Sequence, residues 1–68
     1  MIKRILDISK PGYLHLKNKQ LLIDHEGKTV GHIPVEDLGI LLLEHPAIVI
    51  TQGVILACQK NNVALVFC

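Results

Sequence analysis

The side chains able to do chemistry in this sequence are four histidines, a run of two neighbouring carboxylates and two cysteines. His15, His25, His32 and His45 invite a metal-site reading, but none of the spacings HxH, HxxxH or HExxH occurs. They read as solvated histidines at strand edges and turns. Glu36 and Asp37 are adjacent and project in different directions on a helical turn, which suits capping of free amides better than acid/base catalysis. Cys58 and Cys68 lack a CxxC spacing and are too few for a disulfide framework, so both read as buried free thiols. There is no GxSxG, no P-loop and no Cys/His pair backed by a third residue. Neither a catalytic residue nor a metal ligand is expected in this segment.

The elements that would position any site come from a chain of 68 residues, 50% of them hydrophobic, with a formal net charge of +1. That composition excludes disorder, and the length allows one small domain. No apolar run approaches the roughly 18 residues of a membrane span, and the start Met1-Ile2-Lys3-Arg4 lacks the apolar core of a signal peptide. A soluble, intracellular protein is the expectation. The charge is unevenly spread: Lys3, Arg4, Lys10, Lys17 and Lys19 face Asp7 alone in the first nineteen residues, giving +4, and the remainder carries −3. A basic edge suits phosphates and an acidic flank suits protein, although small domains often show such a division by chance.

Tyr13 to Lys17 alternates in polarity, and Gln20 to Asp24 follows after only Asn18 and Lys19, which predicts a hairpin. Its register would put Leu14, Leu16, Leu21 and Ile23 on the core face and Tyr13, His15, Leu22 and Asp24 on the other. Lys19 resists the positive φ of a tight turn, so a longer or bulged turn is also open. Arg4 to Ile8 reads as a first strand ended by Ser9-Lys10-Pro11-Gly12, and Glu26-Gly27 leads into a strand stopped by Pro34. Val35 to Leu38 reads as one helical turn. The run Ile40 to Leu43 predicts a central strand buried on both sides. Thr51 caps a predicted helix over 52–60, ended by Asn61-Asn62, on which Leu56 sits among polar neighbours. Val63 to Cys68 reads as a buried strand that stops without a cap or polar tail, so the chain is expected to be the first part of a longer polypeptide. The fold class is mainly β with one α-helix (α+β), a small β-sandwich-like domain of short antiparallel strands and hairpins.

Three segments carry a family likeness: Ser9-Lys10-Pro11-Gly12-Tyr13-Leu14-His15-Leu16-Lys17-Asn18-Lys19-Gln20-Leu21-Leu22-Ile23, then Ile33-Pro34-Val35-Glu36-Asp37-Leu38 before Ile40-Leu41-Leu42-Leu43-Glu44, and Ala64-Leu65-Val66-Phe67-Cys68. In that order and spacing they resemble the N-terminal β-domain of the CRISPR-associated integrase, with a spelling most like type II systems. The resemblance implies a two-domain bacterial, cytoplasmic protein, residues 1–68 being the β-domain and a helical catalytic domain lying outside this chain. It implies a metal-dependent DNA endonuclease, using magnesium or manganese, that captures foreign DNA and inserts it as a spacer by transesterification. Homodimerisation, a smaller partner subunit and double-stranded DNA with free 3′ ends come with it, and no membrane. The loop Ser9 to Gly12 would then lie near the duplex end, with Tyr13 to stack on a terminal base pair and Lys10 to meet a phosphate. Leu22 and Leu56, left on outer faces, are the candidates for dimer or domain contact. Two other readings stand beside this one: a freestanding β-rich protein-interaction module with no nucleic-acid role, and a small metal-binding regulator built on the histidines.

Overall fold

The computed structural model describes residues 3–68; Met1 and Ile2, on which the signal-peptide reading partly rests, lie outside them. Along the chain run β1 (Arg4–Ile8), β2 (Gly12–Lys17), β3 (Gln20–His25), β4 (Lys28–Pro34), a 3-10 turn (Val35–Asp37), β5 (Leu38–Leu43), β6 (Ile48–Ile50), α1 (Gln52–Lys60) and β7 (Ala64–Phe67). The β2–β3 hairpin has the register its alternation predicts, with Leu14 opposite Ile23, Leu16 opposite Leu21 and Lys17 opposite Gln20. Its two turn residues both adopt positive φ, 53° at Asn18 and 62° at Lys19, so the turn is the tight one. This backbone matches the right-handed twist of the strands, which a common turn would splay. Asparagine tolerates the left-handed region, whereas lysine gives up about 1 kcal/mol or more there. The Lys19 carbonyl accepts a hydrogen bond from the Val35 amide at 3.2 Å, which ties the turn to the 3-10 turn.

Two sheets result, one in the order β4-β3-β2-β6 and one in the order β1-β5-β7. The mainly β class with one helix is as expected, but antiparallel pairing is confined to β2, β3 and β4. β1, β5 and β7 run parallel, and β6 is parallel to β2. Parallel neighbours need a crossover, and the chain supplies three: the β2–β4 meander carries it from β1 to β5, the stretch from β3 to β5 carries it from β2 to β6, and β6 with α1 carries it from β5 to β7.

Leu14, Leu21 and Ile33 from one sheet join Ile8, Leu41 and Leu43 from the other, with Val54 and Cys58 of α1, in a single buried cluster. Each fully buried leucine contributes roughly 1.5–3 kcal/mol through the water it sheds. β5 is central, as its apolar run predicts, yet only one of its faces is closed. Leu41 and Leu43 are buried, whereas Ile40 and Leu42 on the outer face are half-buried because no described element packs over them. β7 departs further from the expected buried strand: it is an edge, with Val66 and Phe67 38% and 68% exposed. Cys68 is likewise exposed and only Cys58 is the buried thiol expected, its ionisation pushed up by burial.

The helix is closed at both ends by its own sequence. Thr51 Oγ1 accepts from the Val54 amide, and Asn62 at φ 58° turns the chain so that the Val63 amide reaches the Cys58 carbonyl at 2.8 Å. Replacing Lys19 by glycine creates the Asn-Gly pair favoured in such hairpins and is expected to raise the free energy of unfolding by about 0.5 kcal/mol. A urea titration in which Lys19→Gly instead lost stability would show that the turn is not held in the left-handed region.

Candidate nucleic-acid interface

The connection from β1 to β2 is short, Ser9 to Pro11. Pro11 brings no amide donor, and its carbonyl accepts a hydrogen bond from His25 Nδ1 at 2.7 Å, which fixes the proton on that nitrogen. At Gly12 a Cβ would stand 3.3 Å from the Asp24 carbonyl oxygen, so the glycine lets the start of β2 approach β3 closely. Lys10 is exposed on this loop. Lys10, Pro11 and His25 line a shallow hollow of about 450 Å³ together with Leu6 and Ile23.

Tyr13 leaves the loop on the outer face of β2 with 44% of its surface exposed. Its ring stacks on that of His15, centroids 5.3 Å apart and planes at 29°. Behind the pair stands a polar brace: His15 Nε2 lies 3.0 Å from Asp24 Oδ2, and the Thr29 hydroxyl donates to Asp24 Oδ1 at 2.7 Å. The Thr29 hydrogen bond is the main cause holding the Asp24 carboxyl below its ordinary range; partial burial opposes it, and the hydrogen bond and charge of His15 add to it. Thr29 arrives opposite Asp24 because β4 carries a bulge that skips Val30.

On the same face Leu22 is half-buried between His15 and His32, its neighbours across the strands. His32 Nδ1 in turn lies 3.0 Å from Gln20 Oε1. Leu56 is elsewhere. It is 55% exposed on α1, which packs against the core side of β2, so Leu22 and Leu56 lie on opposite sides of the hairpin. The structure thus places Tyr13 and Leu22 on one face of the hairpin, puts Lys10 on the loop before Tyr13 where it lines a hollow with the core-side Ile23, and sets Leu56 apart on α1. The His25 clamp and the Thr29 contact were not foreseen from the sequence. A shared face for Tyr13, His15 and Asp24 was legible in the alternation.

The four histidines have separate surroundings, the last accepting the Ala47 amide on Nδ1 at 3.0 Å. Among the described residues no group of three or more His, Cys, Asp or Glu side chains is placed to hold a metal ion, and no helix is long and apolar enough to cross a membrane.

The described residues form a small β-domain with one helix, in which the Tyr13 ring, backed by His15, follows a lysine-bearing loop. The family described as CRISPR associated protein Cas1 matches residues 6–68, which takes in both sheets and the helix. The chain belongs to that family and is a CRISPR adaptation protein. No curated protein matches it.

A carboxyl depressed in the folded state stabilises the fold above its ordinary value, and that stability is lost as acid carries the pH down through the depressed value. Thr29→Val is therefore expected to move the Asp24 titration upward toward the ordinary carboxylate range and to reduce the acid sensitivity of the fold. An Asp24 midpoint unchanged in an NMR titration of that variant would show that the hydroxyl does not sit on the carboxylate.

Proposed function

We propose that these residues form the N-terminal dimerisation and DNA-positioning domain of a CRISPR adaptation integrase. The full-length protein is then a metal-dependent DNA endonuclease that captures foreign DNA and joins it to the array, a DNA 3′-hydroxyl attacking a phosphodiester. Magnesium or manganese would serve that step from a helical domain outside residues 1–68. No three clustered acid, His or Cys side chains are available among the described residues, so none of the chemistry is assigned here.

Positioning is the domain's part. The observation that carries this reading is the half-exposed Tyr13 ring, held flat by His15 at the exit of the lysine-bearing loop. A terminal base pair stacks on such a ring without sequence preference, and Lys10 meets the neighbouring phosphate. Asp24 and Thr29 act through His15: they set the imidazole, which backs the ring. The Pro11–His25 contact keeps the loop at a fixed height beside it.

Homodimerisation and a smaller partner subunit complete the proposal. The outer face of β1-β5-β7, with Ile5 66% and Val66 38% exposed, offers apolar surface that a second copy would cover. Leu22 and Leu56 face opposite ways and so serve different contacts.

Removing the ring tests the proposal. In the full-length protein Tyr13→Ala is expected to weaken binding of a splayed-end duplex about tenfold, the worth of one stacked base, whereas Tyr13→Phe keeps it. Equal affinity of the alanine variant and the parent in fluorescence anisotropy would end the positioning role.

A further inference from the structure

A second recess lies on the far side of the hairpin from Tyr13. It has a volume of about 710 Å³ and runs between the β2–β3 turn, the 3-10 turn and α1. Two leucines from different elements meet in it, Leu16 at 37% and Leu56 at 55% exposure. Both stand on regular structure, and both spend apolar surface on solvent in a domain too small to spare it. Lys19 and Lys60 line the same recess, against Glu36 as the lone carboxylate.

The walls are preformed. The Lys19 carbonyl is tied to the Val35 amide at 3.2 Å, and the Asn61 amide closes the helix end on the Ala57 carbonyl at 3.0 Å. Lys19 itself is the independent clue. It occupies a left-handed position, φ 62°, where glycine or asparagine would sit without strain, and it is one of the residues that line the recess. A strained turn position filled by lysine rather than glycine or asparagine sets a positive charge at the edge of the recess.

We infer that this recess receives an extended acidic segment of a partner protein with one aliphatic anchor. The anchor lies against Leu16 and Leu56, and its acidic flanks reach Lys19 and Lys60. The apolar floor disfavours a phosphate backbone in the same place, since only an aliphatic anchor can cover Leu16 and Leu56. The inference rests on the recess alone and does not depend on the DNA-positioning reading.

The test uses full-length protein and a fluorescein-labelled peptide, Gly-Ser-Asp-Glu-Leu-Ile-Asp-Glu-Ser-Gly, in fluorescence anisotropy. Saturable binding is expected, weakened about tenfold by Lys19→Gly and by Leu56→Asp, with the melting temperature of each variant kept or raised. A version of the peptide with lysines in place of its acids is expected not to bind. Tyr13→Ala should leave peptide binding unchanged, which separates this site from the DNA face. Absence of saturable binding, binding by the two groove variants as tight as that of the parent, displacement of the peptide by duplex DNA, or loss of self-association as the sole effect of Leu56→Asp would each overturn the inference.

Discussion

The two-residue turn at Asn18 and Lys19 is the constraint on which the rest depends. It leaves no slack between β2 and β3, so Leu14 must meet Ile23 and Leu16 must meet Leu21. Side chains alternate along a strand, and a slip of one residue in either partner would exchange the faces of that strand. Leu21 would come out to solvent and Leu22 would enter the core. The positive φ at both turn residues therefore sorts the hairpin's chemistry, with rings and a carboxylate on one side and aliphatic surface on the other.

Two surfaces with different uses follow from that sorting. On the outer side Tyr13 stacks on His15, and His15 is braced by Asp24 and Thr29. On the inner side most aliphatic residues vanish into the core, but Leu16, near the end of β2, opens into the recess with Leu56 of α1. The second sheet supports this arrangement without contributing to either surface. β5 anchors the core through Leu38, Leu41 and Leu43, and its parallel neighbours extend the apolar layer on both sides.

Local patterning made much of this legible. Alternation around Asn18-Lys19 predicts the hairpin and its register, Thr51 and Asn61-Asn62 mark the ends of the helix, and the run Ile40 to Leu43 marks the central strand. Pairing between distant strands left no comparable trace, because a buried parallel strand and an antiparallel one share the same apolar composition. So the parallel order β1-β5-β7 was missed, and with it the exposed position of β7 and Cys68. At the candidate site the shared face of Tyr13, His15 and Asp24 follows from period-two spacing. The Thr29 contact does not, since it depends on a bulge at Val30, and the His25 clamp depends on how closely Gly12 lets two strands approach. Leu16 belongs to the core face by alternation, and its opening into the recess beside α1 depends on how a distant helix packs, which period-two spacing does not report.

The register of the hairpin is directly measurable by NMR in the protein at equilibrium. Residues flanking a two-residue turn form a hydrogen-bonded pair, so Leu16 with Leu21 and Leu14 with Ile23 are the close, non-hydrogen-bonded pairs, with Cα atoms about 4.5 Å apart. Strong Hα–Hα nuclear Overhauser contacts between Leu16 and Leu21 and between Leu14 and Ile23 are predicted. Contacts pairing Leu14 with Leu22 instead would mean that the two faces are exchanged, and the separation of a ring-bearing surface from an aliphatic one would fall with them.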